Sequence, residues 1–188
     1  MSVVILDFGS QTTRLIARRV RELKAHSVIV PGTATAARIA QEGPTALIFS
    51  GSPRVVGEDG APRPDPGVYR LGVPILGICY GMHLLAVDHG GRVSSQGTPS
   101  YGSDTLVRYE GALFDGMTGE LPVWMSHSSS VEVVPDGWST AASTRGNALA
   151  AIVSPDGQRM GVQFHPEVVH TPEGGRMLGN FLRAAGVA

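Results

Sequence analysis

Apolar residues in the first half of the chain come in short dense runs: VVIL at 3–6, SVIV at 27–30, ALIF at 46–49 and VPILGI at 73–78. Runs of this kind, separated by helix-length segments, predict a parallel sheet covered by helices. Between the first two, Leu15, Ile16, Val20 and Leu23 recur at helical spacing while Arg14, Arg18, Arg19 and Arg21 fall elsewhere around the turn. That pattern predicts a helix over 11–24 with a solvated basic face. From 90 to 162 the pattern changes to short strand-like pieces, LVRY, VWM, VEVV and AAIV, punctuated by Gly, Pro and Ser. These predict an antiparallel extension of the same domain. Near the end, Thr171-Pro172-Glu173 reads as a cap, a first-turn proline and an acidic first turn, followed by a Met177, Leu178, Phe181, Leu182 stripe. A last helix is expected there. The Pro- and Gly-rich stretch 51–67 reads as a long surface loop, and with no internal repeat or linker a single domain over 1–188 is expected.

Composition narrows the partners. A chain of 188 residues with 42% hydrophobic and 16% charged positions has enough apolar material for a substantial core. Its net charge of -1, from 15 basic and 16 acidic residues, gives no electrostatic reason to expect nucleic acid or an anionic membrane as partner. The longest mostly apolar window, Val73 to Val87, is too short to span a bilayer and contains glycines and His83. The opening MSVVILDFGS lacks a charged leader and meets Asp7 early, so it reads as a first strand and not a signal peptide. Cys79 is the only cysteine, which excludes an internal disulfide and points to a reducing compartment. A soluble, cytoplasmic protein is expected.

That cysteine sits in PILGICYGMH, at 74–83. The order strand, Gly77-Ile78-Cys79-Tyr80-Gly81, helix matches a nucleophile elbow with cysteine in place of serine. Such a turn lifts the sulfur out of the sheet at its carboxyl edge, and the N-terminal amides of the following helix favour the thiolate. The plainer alternative is a small buried hydrophobe, the commonest role of a free cysteine.

A thiolate doing acyl transfer needs a base that later acts as proton donor, braced by a carboxylate. Of six histidines, His26, His89 and His170 have no neighbourhood that recommends them. In GVQFHPEV, His165 and Glu167 follow an apolar strand with one residue between them. Extended residues two apart point the same way, so the carboxylate is placed to fix the imidazole tautomer. Pro166 stiffens the pair, though it also suits a simple strand-ending turn. His165, Glu167 and His170 together would be a sparse metal set, and no metal is assigned.

At these residues a resemblance emerges. DFGSQTTRLIARRVREL, the IFSGSP loop, GICYGM, VWMSHSSSVEVVP and HPEVVHTPEGGRML occur in one order along nearly the whole chain. Together they resemble the triad-type class I glutamine amidotransferases, and among them the amidotransferase domains of GMP synthetases. The resemblance implies a doubly wound α/β fold, a mostly parallel sheet flanked by helices with a small antiparallel extension. It implies a catalytic Cys79, His165 and Glu167, and hydrolysis of L-glutamine to glutamate and ammonia through a thioester. It further implies an oxyanion hole from the Tyr80 amide and the Gly51-Ser52 segment, and a substrate pocket reached by His83, Ser128 and Ser129. The implied partner is an ATP-pyrophosphatase-type synthetase domain or subunit that aminates XMP. ATP and magnesium belong to that partner, and no cofactor is expected in this chain.

Five positions depart from the family's usual residues. Ser52 stands where a second glycine is usual, and serine resists the positive φ angles that glycine permits. His83 stands where glutamine is usual, Ser129 where aspartate is common, and Pro99-Ser100 where Arg-Glu is common. They leave open two alternatives: a stand-alone cysteine hydrolase acting on another amide or γ-glutamyl compound, and a docking module with an impaired oxyanion loop.

Overall fold

The computed structural model describes residues 1–96 and 99–187. The four apolar runs become β1 (Ser2–Asp7), β2 (His26–Pro31), β3 (Pro44–Phe49) and β4 (Ile75–Ile78), interleaved with α1 (Thr13–Glu22), α2 (Ala36–Ala40) and, after β4, α3 (Tyr80–Asp88). There follow β5 (Arg92–Ser94), β6 (Ser100–Tyr109), β7 (Leu121–His127), β8 (Ser130–Val133), β9 (Ser139–Thr144), β10 (Ala151–Val153), β11 (Arg159–Val162) and a final helix, α4 (Gly174–Ala184). Nine strands form one sheet in the order β2-β1-β3-β4-β11-β10-β9-β6-β7, while β5 and β8 pair separately. The first five are parallel, and from β11 outward every pairing is antiparallel.

Both faces of the parallel half are covered. Val3 and Ile5 of β1 join a core with Ile16 and Val20 of α1 and Met177, Leu178 and Phe181 of α4. Their alternates Val4 and Leu6 join Ile39 of α2 and Leu84 and Leu85 of α3 on the opposite face. This is the doubly wound arrangement, and it explains why the strands lack polar alternation. Helix α3 is buried from Tyr80 to Ala86, as its largely apolar sequence requires, with His83 the polar exception. Each fully buried Phe or Leu here contributes about 1.5–3 kcal/mol.

Some sequence expectations shift. The first helix is shorter than 11–24, running from Thr13 to Glu22, and Arg19 is not free on a solvated face: its Nε donates to the Glu167 carbonyl at 3.0 Å. Thr171 does not cap α4, whose N-cap is Glu173. The Thr171 hydroxyl instead donates to His165 O at 2.7 Å and accepts from the Trp124 amide at 3.0 Å, so that tertiary contacts outcompete the local cap. Strand β9, STAAST, and the short helix α2 carry too little apolar periodicity to be read from sequence. Among the described residues no helix is long and apolar enough to cross a membrane.

Candidate active site

Strands β4 and β11 are parallel neighbours, with Ile78 opposite Val162. One further bond, from the Cys79 amide to Val162 O at 2.7 Å, carries the pairing to the point where β4 ends. There Cys79 adopts φ 53° and ψ -105°, a conformation that costs a non-glycine residue about 1–3 kcal/mol. The flanking glycines make the turn possible: a Cβ on Gly77 would lie 2.5 Å from the Gly81 carbonyl carbon, and one on Gly81 would lie 2.5 Å from Phe49 O. Helix α3 therefore doubles back directly over its strand, with Cys79 at its N-cap. The Tyr80 amide, in the helix's first turn, has no intrahelical acceptor.

The partner groups come from the segment after β11. His165 Nδ1 donates to Glu167 Oε1 at 2.7 Å. The premise of an extended 165–167 segment does not hold, because Pro166 and Glu167 begin a turn; the turn nevertheless directs both side chains together. The His165 amide donates to Trp124 O at 2.9 Å, and the Thr171 hydroxyl closes the same brace from the other side. Glu167 is fully buried, and its Oε1 also accepts from Thr12 Oγ1 at 2.7 Å. Since that hydroxyl proton is committed, Ser10 Oγ donates to Thr12 at 2.8 Å, and Ser10 in turn accepts from the Thr12 amide. A threonine beside a helix start reads as a cap, so sequence reasoning missed this role; Thr12 makes no side-chain cap here.

Burial alone would depress the His165 imidazole. The Cys79 sulfur and the Glu167 carboxylate outweigh it and hold the ring well above the usual histidine range, to about 10. Burial pushes the nearby His127 the other way, with the charge of His165 adding to the depression.

Eight of the nine residues singled out from sequence line one pocket of about 480 Å³ at the carboxyl ends of the parallel strands: Gly51, Ser52, Cys79, Tyr80, His83, Ser128, Ser129 and His165. Clefts in open α/β sheets form at this end. Glu167 stands behind His165. Ser129 is buried with its hydroxyl unpartnered among the described residues, while its carbonyl accepts from His127 Nδ1 at 2.9 Å. His83 is only 3% exposed, and its Nε2 lies 2.7 Å from Gln163 Oε1. His170 packs on Trp124 at 4.4 Å between ring centroids.

The concern over Ser52 does not apply to this conformation. Neither Gly51 nor Ser52 has a positive φ, so serine fits without strain. Ser50 Oγ donates to Gly51 O at 2.9 Å, which in a planar trans peptide turns the Ser52 N–H the opposite way. Gly51 lies against the imidazole, a Cβ there falling 3.5 Å from His165 Cε1.

Residues 4–185 match the sequence profile of the glutamine amidotransferase class-I family. The chain belongs to that family. It is 56% identical over 185 residues to GMP synthase (glutamine-hydrolyzing) of Thermus thermophilus, covering 98% of this chain and 37% of that protein. To the protein of the same name from Mycolicibacterium paratuberculosis it is 47% identical over 180 residues, covering 96% and 34%. The chain thus spans about a third of the length of these relatives. Among solved structures, a protein from Thermoplasma acidophilum assigned as a GMP synthase subunit superposes with a TM-score of 0.88 at 27% identity, covering 99% of this chain and 94% of that one. A glutamine amidotransferase from Thermotoga maritima shares the fold, with a TM-score of 0.67 at 17% identity over 99% and 82%.

Proposed function

We propose that this chain is the glutamine-hydrolysing part of a GMP synthase, with Cys79, His165 and Glu167 as its triad. The observation that carries the reading is one pocket lined both by the cysteine of a strained elbow and by an imidazole whose Nδ1 is braced by a buried carboxylate. The Cys79 thiolate attacks the side-chain amide carbon of L-glutamine. His165 gives its proton to the departing nitrogen, and ammonia leaves as the thioester forms. The neutral imidazole then takes a proton from water, whose oxygen attacks the thioester; glutamate is released and the thiolate returns. Glu167 keeps the ring in the Nδ1–H tautomer and stabilises its charged form. The developing oxyanion is met by the Tyr80 amide and by an amide of the 51–52 segment, each such donor being worth roughly a hundredfold or more in turnover.

Ammonia needs a consumer. The proposed consumer is an ATP-pyrophosphatase-type synthetase that aminates XMP in the cytoplasm, with ATP and magnesium bound there; the identity to GMP synthases supports a synthetase as the partner. The test is glutamate release from L-glutamine by this chain, with and without such a synthetase supplied with XMP, ATP and magnesium. Turnover that rises with the synthetase and vanishes in Cys79→Ala is the expected result. Turnover only on other γ-glutamyl compounds, or none under any condition, overturns the proposal.

A further inference from the structure

Two groups lie within hydrogen-bonding reach of the Cys79 sulfur, and they favour opposite protonation states. Ser126 O, 3.6 Å away, can only accept and so is served by the thiol S–H. Gln163 Nε2, also 3.6 Å away, can only donate and so is served by the thiolate. Which end of the Gln163 amide faces sulfur is therefore decisive, and it is coupled to what the other end meets. Gln163 Oε1 lies 2.7 Å from His83 Nε2. An oxygen there requires a proton on His83 Nε2; an amide turned end for end would require that nitrogen to be bare. The His83 tautomer and the amide orientation are locked together. Gln163 is wholly buried, so neither end is free to exchange its partner for water.

We propose that Gln163 donates an N–H to the Cys79 thiolate and that His83, as the Nε2–H tautomer, is the positioning residue that keeps this amide turned toward sulfur. The inference rests on Cys79 being the nucleophile of the amidotransferase reaction. The donor supports sulfur where it carries charge: in the free enzyme, and again when the thioester collapses and sulfur departs from the acyl carbon. It does less in the thioester, whose sulfur is a weak acceptor. His83 accordingly acts through Gln163 and not by gripping the amino-acid end of the substrate. Burial keeps the His83 ring neutral, its value pushed down to about 4, so the donor persists across the working range. The other titratable groups on the pocket are His165, His127, Tyr80, Tyr101 and Arg54.

Because Cys79 is the sole cysteine, thiolate absorbance against pH, taken as the difference from Cys79→Ser, reports this sulfur alone. Gln163→Leu and His83→Leu are expected to raise the thiolate midpoint by about one pH unit, the scale of one hydrogen bond to a charged group. His83→Gln, which keeps a donor for Gln163, is expected to hold the wild-type midpoint. In turnover the two leucine variants should lower kcat with KM little changed. Unmoved midpoints in both leucine variants overturn the proposal, as does a raised KM with an unmoved midpoint in His83→Leu, which would make His83 a substrate contact. Should the leucine variants not fold, nitrogen NMR of the wild-type histidine rings decides: a neutral Nε2–H tautomer at His83 supports the relay, and an Nδ1–H tautomer sinks it. The absorbance and NMR readouts use neither glutamine nor synthetase, so they succeed or fail independently of the amidotransferase assay.

Discussion

Cys79 holds a left-handed backbone that any L side chain resists, and only the surrounding packing keeps it there. Replacing it by alanine removes the sulfur and keeps the strain, whereas glycine removes both. Cys79→Gly is therefore expected to be more stable than Cys79→Ala by about 1 kcal/mol in denaturant unfolding, the reverse of the usual order of these two residues. Equal stabilities would mean the elbow is relaxed. A second residue-scale prediction concerns Thr12, which gives its proton to Glu167. Thr12→Val leaves the buried carboxylate short of a donor and should lower kcat roughly tenfold with little change in KM; an unchanged kcat would make this hydroxyl dispensable. The two residues differ in legibility. Cys79 announces itself by its glycines, but Thr12 looks like an ordinary cap, and nothing local indicates that a carboxylate from the far end of the chain will claim its hydroxyl.

At the scale of elements, the elbow depends on how closely α3 approaches β4 and β3. A methyl at position 81 would meet the Phe49 carbonyl oxygen at 2.5 Å, and a backbone atom cannot yield as a side-chain tip can. Gly81→Ala should cost about 1–3 kcal/mol and lower Tm accordingly. A variant as stable as the parent would show that the helix can tilt. Strands β1, β3 and β4 were legible because burial on both faces leaves them almost uniformly apolar. The antiparallel half was legible only in part: LVRY, VWM and AAIV mark β6, β7 and β10, while β9 exists because its neighbours offer free ladder edges, a tertiary cause that its own residues do not encode. The start of α4 was misread for a related reason. The Thr-Pro-Glu signature is genuine cap chemistry, but its threonine is drawn away to brace His165.

For the molecule as a whole, two buried imidazoles set opposite limits on pH. His83 in the fold is pushed from the ordinary 6.5 down to about 4, chiefly by burial. The unfolded chain therefore takes up that proton first, and stability present above 6.5 is lost as the pH falls from there toward 4, by on the order of 3 kcal/mol. His165 is raised, so its contribution is complete below the ordinary imidazole range and is lost as the pH climbs through its folded value. Unfolding free energy measured against pH should thus fall off on both sides, and His83→Gln should flatten the acid limb alone; an unaltered acid limb would assign that loss to other groups. The last consequence comes from the sheet order. Strands β4 and β11 lie side by side although a long stretch of chain separates them, and that stretch must be looped out or already built before they can join. A half-finished chain, such as one still being synthesised, would hold the Cys79 sulfur without the imidazole of His165 beside it. Refolding followed by thiolate absorbance should reach its final value no sooner than the slowest conformational phase, which would make chemical competence the closing act of assembly.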